Sequence, residues 1–323
     1  MSNVTRSRIR VSEVPTVILG AACGYSPAQL APFLKSLEKI LPQSRTVLFV
    51  QPGFKKLTSA SELHVAGDSY LRPVLRKLPR GTRFVSGVCL ATGRAVRLLQ
   101  PLGSILMQAA FGVAVARYFW YRNWLEKNPG PPEQAILLSD TRDVVFQGNP
   151  FIQLPAGKMF CGVEPISLGN CEINSGWYKS AYGSEALDRI GSQSVLCSGV
   201  IGGPRELIHK YLIAMCAEID RVGYRILWSS GFDQAIHNHL LRNTDLGKDF
   251  ILESWDGNRL TTLHYASASA FRFNQQDELV AANGEVVSIV HQYDRHESLR
   301  AWVSNRWSNY EDSESLAKLT LNR

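Results

Sequence analysis

The sequence lacks the cysteine patterns that mark several common classes of protein. It has six cysteines in 323 residues, but no CxxC pair and no cluster of cysteine with histidine. Structural zinc sites are built from such clusters, so a zinc-stabilised fold is not expected. The scattered cysteines are typical of buried, reduced thiols in a cytosolic protein. They are Cys23, Cys89, Cys161, Cys171, Cys197 and Cys216.

No apolar run is long enough to cross a membrane. The longest apolar region, residues 102–116, is interrupted by Ser104 and Gln108. It is shorter than the ~20 residues that a spanning helix needs. The apolar part of residues 14–23 is too short for the core of a signal peptide. We therefore expect a cytoplasmic protein without a transmembrane helix.

Internal repeats, low-complexity linkers and nucleic-acid-binding motifs are also missing. Apolar residues make up 45% of the chain and charged residues 20%, which is enough for a sizeable core and argues against global disorder. The formal net charge is +7 and the pI is about 9.1, which favours an anionic partner. Because the basic residues are dispersed, nucleic acid is not the expected partner.

Hydrophobic patterns predict a βαβ unit near the start of the chain. Val14–Ala22 and Arg45–Val50 are apolar runs typical of buried strands, and Pro27–Ile40 has apolar residues at helical spacing. Later, Val113–Lys127 is predicted as a helix that ends before Asn-Pro-Gly-Pro-Pro, and Ala135–Ser139 as a third buried strand. Alternating strands and helices predict a mostly parallel sheet.

The second half is predicted to continue in the same way, with additional short strands. Residues 55–110 give no clear pattern. We expect a single α/β domain with a mostly parallel central sheet flanked by helices and extra short strands in its C-terminal half. The predicted elements are a strand at Lys158–Val163 ending at Glu164, a helix at Asn174–Tyr182, a strand at Val195–Ile201, helices at Pro204–Val222 and Phe232–Leu241, and short strands within Phe250–Ile289 and at Val286–Val290.

The stretch AILLSDTRDVVFQGNPF, residues 135–151, places Asp140 and Asp143 at the end of a buried strand. In open α/β sheets, ligands bind beyond the carboxyl ends of the strands. Two neighbouring carboxylates repel each other unless a cation lies between them, and Mg²⁺ or Mn²⁺ prefers such oxygen ligands together with substrate phosphates. The alternative is structural: Asp140 caps the next turn and Asp143 pairs with Arg142 or another surface arginine.

This acidic stretch resembles the DxD region of GT-A glycosyltransferases, the nucleotide-diphospho-sugar transferase superfamily, in the variant SDxRDVxFQ. The acids here form Asp-x-x-Asp, with Thr141 where the strict motif has its first aspartate relative to Asp143. The resemblance covers roughly residues 15–297. Its other blocks are RYFWYRNWL (117–125), CEINSGWYKSAYG (171–183), SGVIGGP (198–204), GFDQAIHNHL (231–240) and VHQYDRH (290–296).

The resemblance implies a metal-dependent sugar transferase. Asp140, Asp143 and the late histidine His291 would hold Mn²⁺ or Mg²⁺, with His264 as a weaker rival for the histidine ligand. Asp233 would be the catalytic residue, facing the donor sugar or receiving the acceptor proton. Its structural alternative is an acidic residue that favours the dipole of a helix N-terminus.

The nucleotide-diphosphate sugar is the donor that the resemblance implies, and several residues would bind it. Tyr25 would stack on the base, arginines would meet the diphosphate, and glycines would let the backbone approach the sugar or phosphate closely. The predicted donor-binding residues are Ala22, Gly24, Tyr25, Arg117, Arg122, Gly199, Gly202, Gly203, Gln234 and Arg295.

Most of these residues also have a structural interpretation. The glycines also suit an ordinary strand-to-helix turn, and Arg117 and Arg122 also suit a solvated helix edge. His237 and His239 are two positions apart and cannot share one helix face, so we interpret them as structural.

The resemblance gives domain bounds and a function. Residues 1–297 would form the transferase domain, with a nucleotide-binding part at about 14–150 and an acceptor and sugar part at about 151–297, followed by a helix and polar tail at 298–323. The enzyme would transfer a sugar to a hydroxyl of a glycan or lipid-linked acceptor, as in polysaccharide biosynthesis. The rivals are a metal-dependent nucleotidyltransferase or phosphohydrolase and an inactive glycan-binding protein. Residues 298–307 carry aromatic and basic residues that suit either peripheral contact with a membrane or packing on the domain.

Overall fold

The computed structural model describes residues 15–51, 53–54, 61–65, 111–226 and 231–307. The described elements of the first half are β1 (Val17–Ala21), α1 (Pro27–Ile40), β2 (Arg45–Val50), β3 (Ser61–Val65), α2 (Val113–Lys127), β4 (Ala135–Ser139) and β5 (Val144–Phe146). Those that follow are β6 (Met159–Ser167), α3 (Glu172–Tyr182), α4 (Ser184–Ile190), β7 (Ser194–Pro204), α5 (Arg205–Ile226), α6 (Phe232–Asn243), β8 (Phe250–Glu253), β9 (Leu260–Thr262), β10 (Arg272–Phe273), β11 (Leu279–Val280), β12 (Ile289–His291) and α7 (Glu297–Trp307). Short 3-10 helices lie at Asp245–Asp249, Ala268–Ala270 and Tyr293–Arg295.

In the part of the chain that the structure describes, seven strands form the main sheet, in the spatial order β3-β2-β1-β4-β7-β6-β8. The strands β3, β2, β1 and β4 pair in parallel, as do β6 and β8. Strand β7 runs antiparallel to both β4 and β6. The predicted mostly parallel sheet flanked by helices is confirmed, and β7 makes it a mixed sheet.

The apolar runs of the central strands are buried on both faces of the main sheet. All five residues of β1 are buried. Successive side chains of a strand point to opposite faces. Accordingly, Val17 and Leu19 pack in the cluster that includes side chains of α2, α5 and α6, whereas Ile18 packs with those of α1 on the other face. Two covered faces explain why β1 and β4 are continuously apolar rather than alternating.

A smaller sheet positions the late histidine. Its order is β5-β12-β9, and β12 runs antiparallel to β5 and parallel to β9. Strand β5 begins directly after Asp143, and His291 at the end of β12 pairs with Val144. The backbone N–H of Gln292 also donates to the carbonyl oxygen of Asp143 at 2.8 Å. The small sheet therefore brings His291 to the end of β4.

The predicted elements and the observed ones agree best where the apolar pattern is local. The helices α1 and α2 and the strands β2 and β4 begin and end at the predicted residues. Strand β1 begins at Val17, and Val14 lies outside the described residues. The remaining predicted bounds shift by a few residues, and β5 and β3 are additional to the prediction.

Two predicted bounds are wrong for a physical reason. Pro204 is the last residue of β7 and not the first turn of a helix, and α5 begins at Arg205. Strand β12 is limited to Ile289–His291, so His291 is part of the strand. In both cases pairing with a neighbouring strand extends or shortens the element, and no local pattern encodes that pairing.

Helix α7 is a packing element of the fold. Leu299, Trp302, Val303 and Trp307 are all buried against the small sheet and its loops. The apolar side chains proposed for membrane contact are thus used in packing, as the structural alternative expected. No helix among the described residues is both long and apolar enough to span a membrane. The polar tail beyond Trp307 lies outside the described residues.

Candidate active site

The end of β4 delivers two carboxylates to the edge of the main sheet. The backbone N–H of Asp140 donates to the carbonyl oxygen of Gly199 on β7 at 2.7 Å. On the other side, the hydroxyl of Thr141 donates to the carbonyl oxygen of Ala21 on β1 at 2.9 Å. These bonds fix the turn between Asp140 and Asp143. The side chain of Asp140 is 35% exposed and that of Asp143 is 8% exposed, so solvent reaches the site mainly over Asp140.

His291 completes a group that we call the carboxylate–histidine cluster, consisting of Asp140, Asp143 and His291. The His291 Nε2 atom lies 3.5 Å from Asp140 Oδ2 and 3.9 Å from Asp143 Oδ1. One ligand atom from each residue falls within 4.8 Å of the other two. Three residues that the sequence singled out as metal ligands therefore lie together.

The cluster suits a hard divalent ion. His291 is 1% exposed, and its Nε2 atom has no hydrogen-bond partner among the described residues. A buried polar nitrogen without a partner is costly, and an ion between it and the two carboxylates would supply one. Two carboxylate groups and one imidazole are a donor set that suits Mn²⁺. The residues therefore fit the metal that the sequence implied.

The pKa values of the three cluster residues are shifted by burial and by the charges that surround them. Burial raises the pKa of Asp140, but Arg117 and His291 lower it more, so the pKa lies well below its usual range. Burial and the charge of Asp140 raise the pKa of Asp143, although His291 opposes them. Burial lowers the pKa of His291, but the two carboxylates outweigh it and leave the pKa above its usual value. Each group thus depends on an opposite charge beside it.

Arg117 lies behind the cluster as a buried cation. This arginine on α2 is 6% exposed, and its Nη1 contacts Asp140 Oδ1. Its Nη2 donates to Asp233 Oδ2 at 2.8 Å and to the carbonyl oxygen of Ser198 at 3.2 Å. The interpretation as a solvated helix edge is therefore wrong for Arg117, which connects the predicted metal ligand to the predicted catalytic residue.

Asp233 lies in the first turn of α6, in a fixed position. Gly231, the residue before the helix, has φ +92°, and a side chain there would collide with the ring of Trp177. Asp233 is 3% exposed, and its Oδ2 accepts hydrogen bonds from Arg117 and from the Ser198 hydroxyl, the latter at 3.0 Å. Its carboxylate therefore balances the buried charge of Arg117.

A second group of buried polar side chains is connected by hydrogen bonds of Gln234 on α6. Gln234 Nε2 donates to Glu164 Oε1 at 3.0 Å and to Asn174 Oδ1 at 2.9 Å. Glu164 is 1% exposed, and burial raises the pKa of its carboxyl. Sequence reasoning included Gln234 but missed Glu164 and Asn174 as site residues. The signal was present, because Glu164 closes a predicted strand and Asn174 lies in the block CEINSGWYKSAYG.

The rim of the site carries two arginines and a tyrosine. Arg142 pairs with Asp294 at 2.7 Å, and its guanidinium lies 5.8 Å from the ring centre of Tyr25. The structural alternative paired Asp143 with Arg142 or another surface arginine; Arg142 is not that partner, whereas Arg295 lies within ion-pair distance. Arg295 also pairs with Asp294, and its Nη2 lies 3.9 Å from Asp143 Oδ2. The predicted donor residues Tyr25 and Arg295 therefore lie beside the carboxylate–histidine cluster.

The predicted glycines divide between the site and the sheet. A Cβ atom on Gly199 would lie 2.6 Å from Asp140 Oδ2 and 2.7 Å from His291 Nε2, so only glycine leaves room for the cluster. Gly202 and Gly203 instead pair with β4, and side chains there would meet Phe160 and Met159 in the core. Of the three, Gly199 lies at the site.

The remaining predicted residues are placed as follows. Ala22 is buried beyond β1 and donates its N–H to the carbonyl oxygen of Phe49. Gly24 has φ +85° and donates its N–H to Gln51 Oε1 at 2.9 Å. Arg122 pairs with Glu126 on its own helix at 2.8 Å, so the structure does not bring it to the cluster.

The rival histidine His264 and the two histidines of α6 do not belong to the carboxylate–histidine cluster. The ring of His264 stacks on Tyr265 with 4.1 Å between the centres, and His264 is not part of the cluster. His237 is fully buried, with Nδ1 2.9 Å from the Tyr211 hydroxyl, and His239 stacks on Tyr182. These contacts agree with a structural role for His237 and His239.

The cysteines include one at the site. Among the described residues five cysteines are free thiols, and Cys89 lies outside the described residues. Cys197 on β7 is 2% exposed, and its Sγ lies 3.7 Å from His291 Nδ1. Burial, together with the charge of Glu164, raises the pKa of Cys197 well above its usual value. This thiol was not identified as a site residue from the sequence.

Comparisons with known proteins give structural matches at low similarity. No protein-family model and no curated protein matches the sequence. Two crystal structures of the galactosyltransferase LgtC match, one in complex with donor and acceptor sugar analogs and one of an active-site mutant. Both are 13% identical and cover 91% of this chain and 94% of that chain, with TM-scores of 0.47 and 0.48. At this similarity the matches decide neither the activity nor the ligands of this chain.

Proposed function

We propose that this protein is a metal-dependent glycosyltransferase of the GT-A class. It transfers a sugar from a nucleotide-diphosphate donor to a hydroxyl group of a glycan or lipid-linked acceptor. The observation that carries the proposal is the carboxylate–histidine cluster at the carboxyl end of β4. The Nε2 of His291 faces both carboxylates there and has no hydrogen-bond partner among the described residues. Its two aspartates lie within the stretch that resembles the DxD region of these transferases, and His291 lies in the later block VHQYDRH.

The residues around the cluster suit the parts of such a donor. Arg295 and Arg142 supply positive charge at the rim that would bind a diphosphate, beside Asp140 and Asp143, which would hold the ion. Tyr25 offers an aromatic face beside Arg142 for the base. When bound, Mn²⁺ or Mg²⁺ would neutralise charge that develops on the leaving diphosphate.

The buried polar groups would hold and orient the donor sugar. Gln234, Glu164 and Asn174 form one hydrogen-bonded group, and Asp233 lies next to Gln234 on α6. A group held by several bonds from rigid elements can align a substrate without reorganising during the reaction. Arg117 keeps Asp140 ionised, which maintains the negative charge that a metal ligand needs.

Asp233 is the proposed catalytic residue, and its contacts favour orientation of the donor over proton transfer. Its Oδ2 already accepts hydrogen bonds from Arg117 and from the Ser198 hydroxyl, which hold the carboxylate in one orientation and occupy this oxygen. We expect Asp233→Asn to lower the transfer rate without changing the shape of the rate against pH. The measurement is transfer rate from pH 5 to 9 in both proteins. Loss of one limb of the wild-type profile would instead identify Asp233 as a general base.

The activity is tested with a panel of nucleotide-diphosphate sugars and Mn²⁺, with and without glycan and lipid-linked acceptors. Mass spectrometry should show a nucleoside diphosphate together with an acceptor that has gained one sugar. Asp143→Asn should abolish this product, whereas Asp188→Asn, on the exposed surface of α4, should retain it. A nucleoside monophosphate with a sugar phosphate would instead indicate a phosphohydrolase. No product and no nucleotide binding would leave the glycan-binding alternative.

A further inference from the structure

The two ring nitrogens of His291 face different surroundings. Nε2 faces Asp140 and Asp143, and Nδ1 faces the sulfur of Cys197 at 3.7 Å. Because His291 and Cys197 are both buried, water does not compete readily for either nitrogen. The ring is therefore held between a polar cluster on one side and a thiol on the other.

The chemistry of a metal-bound histidine makes the second nitrogen important. A nitrogen that binds an ion offers its lone pair, so the proton of a neutral imidazole must lie on the other nitrogen. That N–H usually donates to a carboxylate, a backbone carbonyl or water, which fixes the orientation of the ring. Within the described part of the chain, the sulfur of Cys197 is the hydrogen-bond partner found for His291 Nδ1.

A carboxylate that could accept the thiol hydrogen of Cys197 lies nearby. The carboxylate of Glu164 lies beside Cys197 and Gln292. Its Oε2 is buried and has no hydrogen-bond partner among the residues that the structure describes. The thiol is thus placed to accept from His291 and to donate towards Glu164, which extends the contacts of the cluster to the second polar group.

We propose that Cys197 is a positioning residue of the metal site. Its sulfur accepts the Nδ1–H of His291, which leaves the Nε2 lone pair directed at Asp140 and Asp143, and its own hydrogen points to Glu164. This inference rests on the proposed function, because it takes His291 to be a metal ligand. It adds a residue whose effect on the ion acts through His291 and not by contact.

Three variants separate hydrogen bonding from packing. Cys197→Ala removes the acceptor, Cys197→Ser keeps both an acceptor and a donor, and Cys161→Ala alters a buried cysteine on β6 that does not contact the cluster. The probe is MnCl₂ alone, with free Mn²⁺ followed by electron paramagnetic resonance. We expect Cys197→Ala to bind Mn²⁺ ~10-fold or more weakly, as for other partners of metal-binding histidines. Cys197→Ser and Cys161→Ala should bind close to wild type.

Spin-echo spectroscopy of bound Mn²⁺ detects the imidazole nitrogen directly. It therefore separates loss of the His291 ligand from general destabilisation of the protein. The nitrogen coupling of the His291 imidazole should be present in wild type and in Cys197→Ser, and reduced in Cys197→Ala. Wild-type affinity and coupling in Cys197→Ala would overturn the role of Cys197 and leave the metal site standing. Equal losses in the Ala and Ser variants would also overturn it. Absence of Mn²⁺ binding to the wild-type protein would overturn the proposed metal site itself, and the inference with it.

Discussion

At the scale of the residue, Gly199 shows how closely the backbone approaches the carboxylate–histidine cluster. Its carbonyl oxygen accepts the backbone N–H of Asp140, and its Cα faces the imidazole of His291. The need for glycine comes from contact and not from backbone conformation, because a Cβ atom would overlap Asp140 and His291. A single methyl group at this position would therefore displace Asp140 or His291, two of the proposed metal ligands.

We expect Gly199→Ala to disrupt Mn²⁺ binding. The added methyl must push apart Asp140 and His291, which are held by the sheet, and overpacking of this kind typically costs ~1–3 kcal/mol. The control is Gly176→Ala on α3, where a Cβ atom has nothing within 4 Å. Calorimetric titration with MnCl₂ and chemical unfolding measure both effects. Normal Mn²⁺ affinity in Gly199→Ala would mean that the ion does not use this geometry.

His237 predicts a dependence of stability on pH that does not involve the cluster. Burial, with Arg117 and Arg242, lowers the pKa of His237 to about 3. The unfolded chain has the usual histidine pKa of ~6.5, so it binds a proton first as the pH falls. The free energy of unfolding therefore has its full value above pH ~6.5. It falls as the pH falls towards 3, and at pH 4.5 it is lower by about 2–3 kcal/mol.

The measurement compares the free energy of unfolding at pH 7 and pH 4.5 in wild type and in His237→Gln. Glutamine does not titrate. Between pH 7 and pH 4.5 the free energy of unfolding of His237→Gln should therefore fall by about 2–3 kcal/mol less than that of wild type. His209→Gln, at a partly exposed histidine on α5, is the control and should behave as wild type. An equal loss in wild type and His237→Gln would show that His237 is not held neutral.

At the scale of the element, α1 shows how a helix is specified by its first turn. Ser26 and Gln29 form a capping box: the Gln29 N–H donates to the Ser26 side chain, and the Ser26 N–H donates to Gln29 Oε1 at 2.9 Å. Pro27 follows at the first helical position, where its missing N–H is not needed. These local signals explain why the predicted bounds of α1 are correct.

Ser26→Ala should destabilise the protein by ~1 kcal/mol, because the first turn loses a hydrogen-bond acceptor. Ser180→Ala, in the last turns of α3 where the hydroxyl only bonds to a carbonyl of its own helix, is the matched control and should have a small effect. Chemical unfolding measures both variants. Equal effects would mean that the cap does not contribute to the stability of α1.

Other elements could not be predicted because long-range pairing decides them. Strand β5 has three residues and gains its partner in β12 far along the chain. Strand β7 runs antiparallel to its neighbours β4 and β6. This pairing places Gly199 beside Asp140 and Cys197 beside His291. The family resemblance pointed to Asp140, Asp143 and His291. The contacts of Glu164 and Cys197 depend on the pairing of β6 with β7, which the sequence did not predict.

At the scale of the whole molecule, two sheets meet at one site. The main sheet supplies Asp140, directly after β4, and Gly199 from β7, and the small sheet supplies His291 from β12. Helices α2 and α6 contribute Arg117 and Asp233 from behind. A bound metal and nucleotide would therefore contact residues from both sheets. Their binding should raise the free energy of unfolding of the protein.

The central claim is that a divalent ion at the carboxylate–histidine cluster holds the nucleotide. The most direct measurement is calorimetric titration of uridine and guanosine diphosphates into wild type, Asp143→Asn and Asp188→Asn, with Mn²⁺ and with a chelator. Asparagine keeps the size of the side chain but removes its charge. Wild type and Asp188→Asn should bind at least one of these nucleotides with Mn²⁺ and lose that binding with the chelator, whereas Asp143→Asn should bind at least ~10-fold more weakly. Equal affinity of wild type and Asp143→Asn in Mn²⁺, or equal wild-type affinity with and without the chelator, would contradict the claim.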